Sequence, residues 1–195
     1  MLYENYPELE CVRADIDAAI GMLISCYRSG GKLMCAGNGG SASDSEHIVG
    51  ELMKGFKKKR PVIDEHIPPE LASKLQGALP AVSLSSGLSL PTAYLNDVDG
   101  EYIVAQTLYG LARKGDVVLL MSTSGNAANL IHAAELARCL SVHTIALTGE
   151  SGGQLAKMCE VAIRVPSGET YRVQEYHLPV YHEICARLEE EFFKE

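Results

Sequence analysis

The chain has 195 residues, with 17 Lys+Arg against 25 Asp+Glu for a formal net charge of −8. Apolar residues make up 47% and charged residues 22%, which excludes wholesale disorder and suits one domain with a sizeable core. The acidic balance disfavours broad nucleic-acid binding, and the longest apolar stretches fall far short of the roughly 20 residues a membrane span needs.

Residues 1–10 are acidic and carry no apolar secretory core, so no signal peptide is expected. Leu9, Val12, Ile16, Ala19, Leu23 and Cys26 follow 3-4 spacing and predict an amphipathic helix over residues 8–29. Ile20, Ile24 and Tyr27 add a second stripe, wider than a lone surface helix needs, and point to helix–helix packing, with packing between subunits as one outcome. Gly30-Gly31 stops this helix. Strands are expected at about 32–36, 81–85, 116–121, 142–147 and 161–165. Helices are expected at 41–56, 91–96, 102–113, 126–139, 153–158 and 170–193. Between them, residues 58–79 read as an irregular, Pro-punctuated excursion with one short helix near 70–76. The alternation predicts an α/β fold: a three-layer sandwich with a mostly parallel five-stranded sheet flanked by helices, plus long N- and C-terminal helices in one domain over 1–195. The six cysteines (Cys11, Cys26, Cys35, Cys139, Cys159, Cys185) form no C-x-x-C pair and are expected as reduced thiols of a cytoplasmic protein. Lys57-Lys58-Lys59-Arg60 has no interleaved aromatic residue and reads as a solvated helix end, not a nucleic-acid surface.

In such sheets ligands bind beyond the carboxyl ends of the strands, where loops feed helix N-termini. Gly37-Asn38-Gly39-Gly40-Ser41 follows the first strand and lets backbone N–H groups approach an anion. Gly37, Gly39 and Ala42 also satisfy a loose dinucleotide fingerprint. However, the acidic residue at the required spacing, Asp64, follows the basic run and Pro61 where a buried strand should stand. Ser122-Thr123-Ser124-Gly125-Asn126 repeats the strand–loop–helix arrangement with three hydroxyls, more than the one that a helix cap needs. Neither loop carries the lysine of a nucleotide P-loop, so no nucleotide cofactor is expected.

His47 and Glu51 stand four residues apart on one helix face, an arrangement that taken alone more often marks a surface hydrogen bond than a proton-transfer pair. The last helix carries Gln174, Glu175, His177 and His182, and one broad face accommodates both Gln174 and His182. His177 is expected to be structural or peripheral.

Cys35-Ala36-Gly37-Asn38-Gly39-Gly40-Ser41 and Ser122-Thr123-Ser124-Gly125-Asn126 closely resemble the sugar-isomerase (SIS) domain, and within it the phosphoheptose isomerase family. The likeness extends over most of the chain, including Leu147-Thr148-Gly149-Glu150-Ser151-Gly152-Gly153 and Arg164-Val165-Pro166. The resemblance implies an SIS-type sheet and conversion of sedoheptulose 7-phosphate to an aldoheptose 7-phosphate through an enediol. It implies Glu51 and His182 as the acid/base pair, and Ser122, Thr123 and Ser124, with Asn126, as the phosphate loop. Asn38, Gly39, Gly40, Ser41, Asp97 and Gln174 would line the sugar. His47, Glu51, Gln174 and His182 match the zinc ligands of members that bind this metal, and a homotetramer with sites between subunits is implied. Non-catalytic relatives that bind the replication initiator or sense sugar phosphates, and isomerases of other phosphosugars, are the alternatives. Three positions depart from the family pattern: Gly55 for an arginine, Ala127 for a serine and Tyr171 for an aspartate. Lys54, Arg60 and Arg172 are the candidate replacements for the lost cation.

Overall fold

The five apolar runs form five parallel strands: β1 (Leu33–Gly37), β2 (Ala81–Ser83), β3 (Val117–Ser122), β4 (His143–Thr148) and β5 (Val161–Arg164), in the order β2-β1-β3-β4-β5. The coordinates are a computed structural model that describes residues 2–193; residues 1, 194 and 195 of the expected domain lie outside the described residues. The helices are α1 (Leu2–Asn5), α2 (Arg13–Arg28, after a 3-10 turn at Pro7–Val12), α3 (Gly40–Met53), α4 (Pro69–Ala72), α5 (Ser89–Asp97), α6 (Ile103–Leu111), α7 (Ala128–Cys139), α8 (Leu155–Met158) and α9 (Thr170–Phe192). None among the described residues is long and apolar enough to cross a membrane. All six cysteines are free, with Cys26, Cys35 and Cys185 buried and Cys11 and Cys139 exposed.

Because strand side chains alternate, each strand feeds two cores. Leu33, Cys35, Val117, Leu119, Met121, Ile145 and Leu147 pack with residues of α2, α3 and α9. Met34, Ala36, Val118, Leu120 and Ala146 pack with residues of α6, α7 and α8 on the other face. Both faces are thereby covered, as the continuous apolar runs of a parallel sheet require. The broad apolar face of α2 finds its helix partner inside the chain. It packs on α9, with Tyr27 and Phe192 edge to face at 5.8 Å.

The basic run is the main correction to the sequence reading. It is not a solvated helix end: α3 stops at Met53, and Arg60 is 1% exposed. The Arg60 guanidinium donates to Glu189 Oε1 at 2.8 Å, to the Leu52 carbonyl at 2.7 Å and to the Glu51 carbonyl at 3.1 Å. Glu189, equally buried, also accepts the backbone N–H groups of Phe56 (2.8 Å), Lys57 (2.8 Å) and Lys58 (3.1 Å). Burial alone raises the Glu189 carboxyl, but these hydrogen bonds and the Arg60 charge outweigh it and hold the group below its ordinary range. The excursion closes on the same arginine. Pro61 bridges Gln76, and the Gly77 N–H donates to the Arg60 carbonyl at 2.7 Å.

A buried charge left without its partner is costly. Arg60→Ala is therefore expected to lower the unfolding free energy by about 3–5 kcal/mol in urea titration, whereas Lys59→Ala, at an exposed neighbour, is expected to change it by less than about 0.5 kcal/mol.

Candidate active site

The two anion loops meet beyond the carboxyl ends of β1 and β3. Asn38 and Asn129 exchange reciprocal amide hydrogen bonds at 3.0 and 2.9 Å, tying the glycine loop to α7. Helix α3 starts after Gly39 and α7 after Ala127, neither with a side-chain cap. Capping therefore does not account for the hydroxyls of the second loop. Ser122 Oγ accepts the Gly125 N–H at 3.1 Å and Ser124 Oγ accepts the Asn126 N–H at 3.2 Å. Each serine hydroxyl keeps its own proton to donate. Asn126 is committed to the loop itself, donating to the Ser124 carbonyl at 3.0 Å and accepting from Gln154 N–H at 3.1 Å. Thr123 is half-buried, with its carbonyl accepting the Gly149 N–H at 3.0 Å. Ser41 is enclosed beneath the first loop at 3% exposure. Gln174 leans on that loop so closely that a Cβ on Gly40 would lie 2.6 Å from its Nε2. Asp97, at the end of α5, is exposed and accepts from Asn96 at 2.7 Å.

The acid/base candidates form a second cluster between α3 and α9. His47 Nε2 lies 3.1 Å from Glu51 Oε1, and the Glu51 side chain is 14% exposed. His182 faces His47 with ring centroids 5.0 Å apart and leans on Phe56 at 5.3 Å. The Nε2 of His182 is buried with no hydrogen-bond partner. Burial, and then the His47 charge, push His182 below the ordinary imidazole range, with Glu51 opposing, so its ring is neutral near pH 7. His177, fully buried, is pushed down to about 4 by burial and belongs to the core, as expected of it.

Glu51 lies eleven residues beyond Gly40, about 16 Å along α3. The neighbouring Leu52 carbonyl accepts from Leu79, just before β2. The acid/base cluster thus stands toward the amino ends of the strands, opposite the anion loops. Likewise Gln174 and His182, eight residues and about 12 Å apart along α9, meet α3 at different places, Gly40 and His47. One face of α9 does not bring both to one point within a single chain.

Three residues join these clusters that the sequence alone did not single out. Asn129 holds Asn38. Tyr181 donates to Asp44 Oδ1 at 3.1 Å and lies 3.0 Å from His47 Nδ1. Asp44 stands one helical turn before His47, and Tyr181 adjoins His182, so the only sequence signal was proximity to candidates already chosen. Of the three candidate replacement cations, Lys54 alone reaches the site, 3.1 Å from Glu51 Oε2. Arg60 is spent on Glu189, and Arg172 pairs with Glu175 and Glu8. Nor can a side chain be restored at Gly55, where a Cβ would lie 2.4 Å from the Lys58 carbonyl. Tyr171 is exposed and donates to Glu169.

No three His, Cys, Asp or Glu side chains among the described residues stand ready as a metal cluster. The donor chemistry nonetheless fits a divalent cation. Tyr181 has one hydroxyl proton and gives it to the Asp44 carboxylate, so its oxygen accepts from His47 Nδ1–H. A His47 ring that carries its one proton on Nδ1 would turn a bare Nε2 toward Glu51 Oε1. Two lone pairs facing each other at 3.1 Å need a proton or a cation between them, and tetrahedral zinc spaces its donor atoms by about 3.3 Å at ordinary bond lengths. His182 Nε2, on a ring whose centroid is 5.0 Å from that of His47, is buried and unpartnered.

A parallel sheet with two uncapped helix starts beyond its strand ends is an α/β arrangement that can accept an anion at that edge, and the SIS-domain family model matches residues 9–149. A phosphoheptose isomerase of Akkermansia muciniphila is 36% identical over 190 residues, covering 97% of this chain and 92% of that one. One of Nitratiruptor sp. is 38% identical over 183 residues, covering 94% and 89%. The structure of phosphoheptose isomerase GmhA from Neisseria gonorrhoeae matches with a TM-score of 0.80 at 30% identity, covering 97% of this chain and 93% of that chain. This chain belongs to the phosphoheptose isomerase family of SIS-domain proteins.

The hydroxyl loop depends on Gly125, which has φ +68° and whose Cβ would lie 2.1 Å from the Gly152 carbonyl. Gly125→Ala is expected to displace the loop and weaken sugar-phosphate binding by about tenfold or more in isothermal titration.

Proposed function

We propose that this chain is an aldose–ketose isomerase that converts sedoheptulose 7-phosphate to D-glycero-D-manno-heptose 7-phosphate by enediol proton transfer. The observation that carries this reading is the pairing of a largely buried Glu51 carboxylate with a neutral His182 whose Nε2 is buried and unpartnered. Isomerisation needs a base at carbon and a second group at oxygen, and no redox cofactor. Glu51 removes a proton from C1 of the ketose. His182 carries the hydroxyl proton of O1 to O2, leaving the enediolate with its charge on O1, and Glu51 returns its proton to C2 as O1 becomes the aldehyde oxygen of the aldose. Atoms and charge balance within the substrate. Ser122, Thr123 and Ser124 donate to the phosphate, and Asn38, Gly39, Gly40, Ser41, Asp97 and Gln174 line the sugar. Lys54 supplies the cation at the mouth that position 55 cannot carry.

The same donors support zinc as the resident metal, held by His47, Glu51 and His182, with Gln174 as the fourth ligand. Bound there, zinc would act as a Lewis acid toward the ketone.

The separation of the two clusters supports an oligomeric site. The rise of about 16 Å along α3 from Gly40 to Glu51 is longer than an extended seven-carbon sugar phosphate. The phosphate loop of one copy therefore works with the acid/base cluster of another in a homotetramer, and Gln174 reaches the ion from a second copy. The exposed apolar side chains of Leu88, Leu90, Leu95, Val98 and Tyr109, on and around α5 and α6, agree with such assembly. Six free thiols agree with a cytoplasmic setting.

An NMR time course with sedoheptulose 7-phosphate is expected to show aldoheptose formation, with kcat falling about 10²–10⁴-fold in Glu51→Gln and in His182→Ala while KM changes little. Absence of turnover both with and without added zinc contradicts the assignment and favours a binding or sensing role.

A further inference from the structure

The hydrogen bonds around His47 assign a role to Tyr181 that neither the acid/base pair nor the metal donors include. Tyr181 is 1% exposed, and its ring packs edge-on against both His47 (5.5 Å, 74°) and His182 (5.0 Å, 82°). Its hydroxyl has two neighbours, Asp44 Oδ1 at 3.1 Å and His47 Nδ1 at 3.0 Å, and only one proton. The carboxylate, which can only accept, takes that proton in a charge-assisted bond. The phenol oxygen is then left as an acceptor, and only a protonated Nδ1 satisfies it. The opposite assignment, with Tyr181 donating to His47, leaves an acceptor-only Asp44 facing an oxygen that has no proton for it. Asp44 therefore acts through two bonds on the far side of the imidazole.

We propose that Tyr181, anchored by Asp44, is a positioning residue that fixes His47 as its Nδ1–H tautomer and so presents Nε2 as a lone pair toward Glu51. This rests on the reading of His47 and Glu51 as site residues. An imidazole whose Nδ1 is held in this way offers Nε2 in one orientation to a cation or a shared proton, which is how outer hydrogen bonds set ligand histidines. Without the phenol, the ring is free to place its proton on Nε2 and give it to Glu51, which would occupy both groups with each other. The arrangement also explains why so enclosed a position carries a hydroxyl at all, since an apolar residue would fill the same space between α3 and α9.

The test is Tyr181→Phe in the full chain, which keeps the ring packing and removes one oxygen. Ring-nitrogen NMR of His47 after chelation is expected to show the proton on Nδ1 in the wild type and on Nε2 in the variant. Zinc titration is expected to weaken 10–100-fold, and kcat to fall by a similar factor with KM little changed. Tyr176→Phe, which removes a hydroxyl bonded to Glu8 and Arg172 on the same helix, is expected to leave the His47 spectrum and the zinc affinity at wild-type values. A Tyr181→Phe spectrum identical to the wild type overturns the proposal, as does a wild-type His47 protonated on Nε2 alone or an unchanged zinc affinity. The spectrum is read without substrate, so failure of isomerase turnover would overturn the proposed reaction and leave this test standing.

Discussion

The buried pair of Arg60 and Glu189 is the constraint on which the acid/base cluster depends. Arg60 grips the last carbonyls of α3, Glu51 and Leu52, while Glu189 collects the N–H groups of the turn that follows. Helix α9 is thereby locked beside α3 in one register. In that register Tyr181 meets Asp44 and His47, His182 meets His47, and Phe56 closes over His182. Sliding α9 by one turn, about 5.4 Å, would break every one of these contacts. A buried ion pair is seldom a large source of net stability, and fixing register is its best-attested use.

The acidic net charge and the anion loops do not conflict. Net charge belongs to the whole surface, whereas the loops rely on N–H groups at two uncapped helix starts and on hydroxyls that still have protons to give. Such a site suits a small phosphate on a neutral sugar and gives a polyanion little to hold. Lys54, the nearest of the candidate replacement cations to the acid/base cluster, pairs with Glu51.

What the sequence made legible was local. The strands showed as uninterrupted apolar runs, and both anion loops showed as small or hydroxyl residues between a strand and a helix. The His47–Glu51 pair followed from spacing of four. The elements that depend on remote partners were not legible. Arg60 read as one more charge in a basic run because the carboxylate that buries it lies 129 positions away. The wide face of α2 read as a surface in need of a partner because nothing local says that α9 provides one. Gln174 and His182 are each well placed by pattern, but only the packing of α3 shows that eight residues of helix hold them apart. The excursion over 58–79 was seen as irregular, and its closure through Arg60 and Gly77 was not.

In the proposed site the phosphate loop of one copy works with the acid/base cluster of another. Complementation tests it most directly. A double Ser122→Ala, Ser124→Ala variant and a Glu51→Gln variant, each inactive alone, are unfolded together, refolded as a mixture and assayed with sedoheptulose 7-phosphate. A shared site predicts recovery of up to about one quarter of wild-type activity, the share of pairings that unite an intact loop with an intact carboxylate. A mixture as inactive as its components contradicts it.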